Sequence, residues 1–220
     1  SEVLIAQKRR PKNPIKFKIQ LNEEQKKAKE IILSNTLTLL AGSAGSGKTF
    51  LACQVALDGL FSRQYERVII TRPTVSKEDI GFLPGTLEEK MMPWIAPLRD
   101  NLEYLFGDRT ALDIQMEQGT IEIEAMTYIR GRSISNAFMI VDEAQNLTAH
   151  ELKTIITRVG HGTKLILTGD IQQIDNSYVD AESNGLTHAV EKFKDYEIAG
   201  HVTLTKGERS RLASLAAEIL

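Results

Sequence analysis

Eight residues near the start of the chain have the types and spacing of a loop that binds phosphate. The run GSAGSGKT follows an apolar stretch over residues 36–41 and precedes an apolar helical pattern over residues 50–57. Glycines let the backbone fold closely around an anion, and the first amides of the following helix point towards it. Every fixed position of the P-loop pattern is matched, so we expect a nucleoside triphosphate as the ligand. The predicted ATP contacts in this loop are Gly42, Ser43, Ala44, Gly45, Ser46, Gly47, Lys48 and Thr49.

The last two residues of this run have separate predicted roles. Lys48 is expected to reach the β and γ phosphates, and the Thr49 hydroxyl is expected to bind the Mg²⁺ that accompanies ATP. The alternative is a flexible glycine-serine turn. Such a turn seldom lies between an apolar strand and an apolar helix, which favours the nucleotide interpretation.

Two carboxylates follow a second apolar strand and could complete the site. Asp142 is expected to hold Mg²⁺ together with Thr49, and Glu143 is expected to act as the base that polarises the attacking water. The alternative is a solvated strand end. A base next to the magnesium aspartate favours hydrolysis over phosphate transfer to a small molecule, although a small-molecule kinase stays a third hypothesis.

A third strand, over residues 164–168, brings more polar residues to the same edge. Strands of an open parallel sheet bind ligands at their carboxyl ends, so Asp170 is a candidate ATP contact. Gln173 is a candidate catalytic residue that senses the γ phosphate or the attacking water. The alternative is an ordinary turn after the strand.

The elements that position these residues alternate along the chain. Short apolar runs at residues 36–41, 67–71, 121–126, 137–141 and 164–168 have helical patterns between most of them. This alternation predicts an α/β fold, a RecA-like P-loop NTPase with a mostly parallel sheet sandwiched by helices. Residues 72–119, rich in proline and glycine, are expected to be an irregular insertion over the sheet. Their apolar side chains could form a satellite core or cover a partner subunit.

Composition predicts one domain and limits its class. The chain has 220 residues and a single cysteine, Cys53, which is expected to be a core residue. We expect a domain over residues 21–220 after a basic arm over residues 1–20, which holds six basic residues against one glutamate. That arm could bind phosphate backbones or be a solvated tail. We expect a cytoplasmic protein without a membrane span, and the four histidines lack metal-ligand spacing.

Several blocks together resemble the PhoH family of P-loop ATPases, which is related to the motor domain of superfamily 1 helicases. The blocks are residues 42–49, 71–73, 81–85, 128–132, 142–146 and 169–175, together with the helix that carries Gln25. They fall within the region from Leu21 to about Arg211. The resemblance implies ATP hydrolysis with Mg²⁺ and a link to RNA or single-stranded DNA.

The resemblance also implies roles for single residues. Gln25 is similar to a glutamine that binds adenine in related helicases, and its alternative role is that of a helix cap. Arg72 lies where related motors contact nucleic-acid backbone. Tyr128, Arg130 and Arg132 form a basic, aromatic turn suited to stacking and phosphate contact. For each arginine the alternative is a surface salt bridge.

One motor domain is half of what related helicases use, because they bind ATP between two such domains. We therefore expect a homo-oligomer, such as a hexamer, in which a neighbouring copy supplies an arginine that stabilises the transition state. The candidates for that catalytic arginine are Arg209 and Arg211, followed by Arg158. Alternatively, this is a slow ATPase awaiting a partner, or a nucleotide-dependent switch that acts on a protein without stimulation by nucleic acid.

Overall fold

A computed structural model describes residues 20–43, 45–73, 85–129, 131–171, 180, 184–205, 212, 215–216 and 219–220. In chain order the helices and strands are α1 (Glu23–Ser34), β1 (Leu37–Gly42), α2 (Lys48–Phe61), β2 (Arg67–Arg72), α3 (Leu87–Phe106), α4 (Arg109–Glu117), β3 (Ile121–Ala125), α5 (Met126–Ile129), β4 (Ala137–Val141), α6 (Ala149–Ile156), β5 (Lys164–Gly169), α7 (Gly185–Phe193) and β6 (Ala199–Leu204). A 3-10 turn at Ala144–Asn146 follows β4.

The six strands form one sheet in the order β3-β2-β4-β5-β1-β6, and every neighbouring pair is parallel. The central strands β4 and β5 are buried along their whole length, which matches their continuous apolar sequence. This confirms the predicted α/β fold. Strand β6 was not predicted, because an edge strand keeps exposed positions such as His201 and so lacks a continuous apolar run.

Helices cover both faces of the sheet, and each face has its own apolar core. On one face, side chains such as Leu40 and Ile70 pack with residues of α1 to α4. On the other face, side chains such as Leu39 and Ile69 pack with residues of α5 to α7. Neighbouring residues along a strand point to opposite faces, so one strand contributes to both cores. The sheet is therefore a rigid platform whose carboxyl edge carries the loops.

The predicted satellite core is wrong for the part of residues 72–119 that the structure describes. Leu98, Leu102, Leu105 and Phe106 are fully buried in the same core cluster as α2. They belong to α3, a continuous helix despite Pro93 and Pro97 within it. Proline has a helical φ, and burial of this apolar stripe outweighs the backbone hydrogen bonds that each proline removes.

Cys53 is a core residue, as predicted. It lies on α2 and is fully buried. Burial raises the pKa of the thiol well above its ordinary value, and the negative charge of Asp142 raises it further. The thiol therefore stays protonated at neutral pH and packs as a small apolar group.

None of the described helices is long and apolar enough to cross a membrane. Histidine, cysteine and carboxylate side chains form no cluster able to hold a metal ion within the described part of the chain.

Candidate nucleotide-binding and hydrolysis site

The loop between β1 and α2 is built around two glycines with left-handed backbone. Gly45 and Gly47 both have a φ of 79°, a backbone conformation that residues with a Cβ rarely adopt. Gly47 is the N-cap of α2, which has no side-chain cap and no acidic residue in its first turn. The first backbone N–H groups of α2 therefore have no side-chain cap and can donate to an anion in the loop.

Two polar side chains of the loop fit an anionic ligand. Ser46 is 2% exposed, and its Oγ has no hydrogen-bond partner among the described residues. Lys48 is 7% exposed, and its Nζ lies 3.4 Å from the Ser43 carbonyl oxygen, across the loop. A buried hydroxyl without a partner and a nearly buried ammonium are costly unless a ligand completes them. Phosphate oxygens would satisfy both groups.

Asp142 connects the P-loop to the end of β4. Its side chain is fully buried, and its Oδ1 accepts hydrogen bonds from Thr49 Oγ1 at 2.8 Å and from Thr168 Oγ1 at 2.5 Å. The two residues that the sequence predicted to hold Mg²⁺ are thus in direct contact. A carboxylate beside a hydroxyl at the mouth of a P-loop is the oxygen donor set that Mg²⁺ prefers.

Arg72 lies at this site and not on an open surface. Its side chain is 17% exposed, and its Nε donates to Asp142 Oδ2 at 2.9 Å. The predicted contact of Arg72 with nucleic acid stays a prediction. The ion pair neutralises a carboxylate that would otherwise be a buried, uncompensated charge.

Glu143 is held in a strained conformation by its neighbours. Its φ is 54°, in the left-handed region, and strain of this kind clusters at functional sites. Gln145 is fully buried, and its Nε2 donates to Glu143 Oε2 at 2.7 Å. Its Oε1 accepts from the Asp170 backbone N–H at 3.1 Å, so Gln145 joins the predicted base to the loop after β5.

Gln25 has the helix-cap role that was one of its two alternatives, and its predicted contact with adenine stays a prediction. Its Oε1 accepts from the Asn22 backbone N–H at 3.1 Å, as half of a capping box for α1. Its Nε2 would lie 3.3 Å from a Cβ placed on Gly47. The amide therefore lies against the P-loop, within reach of a nucleotide bound there.

Arg132, from the basic turn before β4, forms an ion pair away from the P-loop, which was its alternative role. Arg132 Nη1 pairs with Glu122 Oε2 at 2.9 Å, and this hydrogen bond raises the pKa of the guanidinium. Arg158 is exposed after α6. Five predicted site residues lie outside the described residues, as does the side chain of Tyr128. These five are Ala44, Arg130, Gln173, Arg209 and Arg211.

Two cavities border opposite edges of the sheet. The cavity at the carboxyl edge measures about 470 Å³ and is lined by Ser43, Asp170 and His201, among others. A larger cavity of about 770 Å³ lies at the amino edge, where Leu33, Tyr65 and Lys164 contribute to its wall. The larger one contains none of the predicted site residues. The predicted site residues that line a cavity therefore lie at the carboxyl edge, where ligands bind in open parallel sheets.

Comparison with known proteins agrees with this arrangement. The family model described as PhoH-like protein matches residues 18–219. This chain belongs to the PhoH-like protein family. Protein PhoH2 of Bacillus subtilis is 49% identical over 209 residues, and Protein PhoH2 of Mycolicibacterium smegmatis is 39% identical over 202 residues. The alignments cover 90% of this chain but 47% and 46% of those proteins, so the chain spans about half the length of the curated relatives it matches.

Among solved structures, the large terminase of a thermophilic bacteriophage has the same fold. It aligns over 91% of this chain and 50% of its own, with 12% identity and a TM-score of 0.52. Pif1 helicase from Candida albicans aligns over 91% of this chain and 43% of its own, with 17% identity and a TM-score of 0.47. The likeness to the terminase concerns the fold alone, and it agrees with the α/β, P-loop NTPase type of fold found in this PhoH-like chain.

Three features of the site were not predicted from the sequence. The sequence predicts only a strand at Thr168, although a hydroxyl at the end of an apolar run is a usable signal. Gln145 lies within residues 142–146, one of the blocks that resemble the PhoH family, but no local pattern indicates its role. The pairing of Arg72 with Asp142 carries no local signal, because the two residues are 70 positions apart.

Proposed function

We propose that this PhoH-like chain binds ATP with Mg²⁺ and hydrolyses it at the carboxyl edge of the sheet. The observation that carries the proposal is the direct contact of Thr49 with Asp142, with Glu143 next in the chain. It joins a phosphate-binding loop to a magnesium carboxylate and a base, the parts that ATP hydrolysis requires. Glu143 is needed for attack by water and not for phosphate transfer to a small molecule.

The residues at this edge would have separate roles in binding ATP and in its hydrolysis. Lys48 and the amides of α2 would bind the β and γ phosphates, and Gln25 would contact the adenine. Mg²⁺, held by Thr49 and Asp142, would neutralise charge that develops on the phosphate oxygens. A Glu143 carboxylate oxygen would accept a proton as the water oxygen bonds to the γ phosphorus and the bond to the β–γ bridging oxygen breaks. Gln145 would hold Glu143 in place for that transfer.

We further propose that hydrolysis is linked to RNA or single-stranded DNA. The first twenty positions hold six basic residues and one glutamate, in a chain that is otherwise net acidic. This local positive charge supports a polyanionic partner. The relation of the PhoH family to the motor domain of superfamily 1 helicases supports the same link to nucleic acid.

The test is phosphate release from ATP and Mg²⁺, measured alone and with single-stranded RNA or single-stranded DNA, with Lys48→Ala as the blank. Heparin serves as a control for any polyanion. Stimulation by one nucleic acid and not by heparin is the expected result. A basal rate that neither polymer changes would contradict the nucleic-acid link and favour a switch that acts on a protein.

We also propose a homo-oligomer, such as a hexamer, in which Arg209 or Arg211 acts on the ATP of a neighbouring copy. Mixing two inactive variants tests this assignment. Lys48→Ala lacks a working P-loop, and the double variant Arg209→Ala and Arg211→Ala lacks the arginines. Activity regained in the mixture is expected if the arginine acts between copies. A monomer with full activity would contradict the proposal.

A further inference from the structure

Asp142 has no unoccupied carboxylate oxygen. Its Oδ1 accepts from the hydroxyls of Thr49 and Thr168, and its Oδ2 accepts from Nε and an Nη of Arg72. All of these groups are side chains that can rotate. The Arg72 guanidinium supplies the only formal positive charge among them.

This arrangement conflicts with the binding of Mg²⁺ at the same carboxylate. The proposed function requires Thr49 and Asp142 to hold a doubly charged cation. A guanidinium in contact with Asp142 Oδ2 would then lie within a few ångströms of that cation, in a site that is shielded from water. Repulsion between two cations is strong where solvent screening is weak. One carboxylate cannot retain both at full strength.

We propose that Arg72 is a positioning residue that neutralises Asp142 before the metal arrives and is displaced when Mg²⁺ binds with the nucleotide. The ion pair compensates the charge of a buried carboxylate and orients it, which prepares the metal site. It also opposes metal binding, because Mg²⁺ must break the pair. This inference rests on the proposed function for the identity of the metal and the nucleotide.

The contrary account is that Arg72 stays near Asp142 and contacts the phosphates beside Mg²⁺. In that account the arginine and the metal help one another through the nucleotide. The two accounts predict opposite effects of removing the charge. Displacement predicts that binding depends more strongly on Mg²⁺ without Arg72, and cooperation predicts that it depends less strongly.

The full chain is titrated with a fluorescent ADP analogue, once in MgCl₂ and once in EDTA. The ratio of the Kd in EDTA to the Kd in MgCl₂ measures the dependence on Mg²⁺. Arg72→Gln removes the charge but keeps an amide that can donate to Asp142. We expect the ratio to rise about fivefold or more, the lower end of typical coupling between two ligands. Arg72→Lys keeps a positive charge and should stay near the wild-type ratio.

Arg99→Ala is the matched control, because Arg99 also pairs with carboxylates, Glu103 and Asp113, at a similar exposure of 24%. Its ratio should equal that of the wild type. An unchanged or smaller ratio in Arg72→Gln would overturn the inference, and so would an equal rise in Arg99→Ala.

Thermal melting without nucleotide gives a second readout that does not depend on the proposed function. Added MgCl₂ should raise the Tm of Arg72→Gln more than that of the wild type or of Arg99→Ala. An equal increase in all three would overturn the inference. If the wild type binds no nucleotide with or without Mg²⁺, the proposed function fails, and the melting curves still decide whether Mg²⁺ and Arg72 compete.

Discussion

Asp142 and Lys164 are both buried charged residues, but they lie at opposite edges of the sheet and are satisfied in different ways. Asp142, at the carboxyl edge, is paired with the side chains of Thr49, Thr168 and Arg72. Lys164, at the amino edge, donates from Nζ to the carbonyl oxygens of Ile32, Leu33 and Asn35, at 2.6, 3.1 and 2.6 Å. These carbonyls end α1, and burial lowers the pKa of the ammonium.

The difference is that Asp142 has exchangeable side-chain partners and Lys164 has fixed backbone partners. Backbone carbonyls at a helix end have fixed positions, so Lys164 is a permanent cap for α1. Side-chain partners can rotate away and be replaced by a metal or a substrate. The amino edge has the larger cavity and the carboxyl edge has the exchangeable groups. Cavity size alone would therefore point away from the edge that holds the predicted site residues.

The largest expected effect comes from the base at the carboxyl edge. Glu143→Gln should lower turnover by about 10²-fold to 10⁴-fold, because the amide cannot accept the proton of the attacking water. Nucleotide affinity and Tm should stay close to wild type, as measured by titration and thermal melting. Fast hydrolysis by this variant would refute the assigned base.

A smaller effect on the same chemistry is expected from the residue that holds the base. Gln145→Leu removes the 2.7 Å hydrogen bond to Glu143 and should lower kcat about tenfold, the cost of one positioning contact. The KM for ATP should change little, because the Gln145 side chain bonds to Glu143 and to the loop after β5. Steady-state kinetics separates the two constants, and an increase in KM at constant kcat would contradict this role.

At the amino edge the expected loss is in stability. Lys164→Met keeps the apolar stem but leaves three carbonyls without their donor, which should cost about 2 kcal/mol of unfolding free energy. Activity per folded molecule should be unchanged. Urea unfolding and phosphate release measure the two quantities.

Lys194→Met is the control for that substitution. Lys194 pairs with Glu191 on the surface, where both side chains are more than half exposed, so its loss should be close to neutral. An activity defect in Lys164→Met at full stability would erase the distinction between the two edges.

A weaker effect is expected on the choice of nucleotide. Gln25→Ala should reduce the preference for ATP over GTP about tenfold, since one amide contact with the base is lost. Asn22→Ala breaks the same capping box but leaves the Gln25 side chain, so it isolates the helix cap from adenine binding. Competition titrations measure the preference. Equal losses in both variants would assign Gln25 to the helix cap alone.

The smallest effect concerns pH. Burial lowers the pKa of His201, on β6 at the carboxyl-edge cavity. Between that lowered pKa and the unfolded value of about 6.5, the unfolded chain binds more protons, so stability falls as pH falls. The loss should be below about 0.5 kcal/mol, because solvent reaches the side chain and screens it. Melting curves from pH 7.5 to 5.5 should be flatter for His201→Gln, and an equal slope would contradict this assignment.

Two kinds of element were predicted correctly from the sequence. They are strands with both faces buried and segments with a strict local sequence pattern. Strands β4 and β5 have continuous apolar runs, and the P-loop needs glycine at fixed positions. Helix α3 was missed because its prolines suggested a break, although Leu98, Leu102 and Leu105 have helical spacing. Local propensity there was outweighed by tertiary packing.

The candidate site was predictable only as separate pieces. The P-loop and the Asp142–Glu143 pair each have a local signature, and the parallel sheet brings their strand ends together. Which groups then contact Asp142 depends on segments 26 to 93 positions apart in the chain, and no local pattern encodes those contacts. The assignment of Arg72 therefore needed the fold.

Phosphate release from ATP and MgCl₂ measures directly whether the carboxyl edge of the sheet hydrolyses ATP. Wild type, Lys48→Ala and Glu143→Gln are measured at equal concentration after their folding is checked by thermal melting. The expected result is a Mg²⁺-dependent rate for the wild type that both variants lose while they stay folded. A wild-type rate equal to that of Lys48→Ala would show that the carboxyl edge does not hydrolyse ATP.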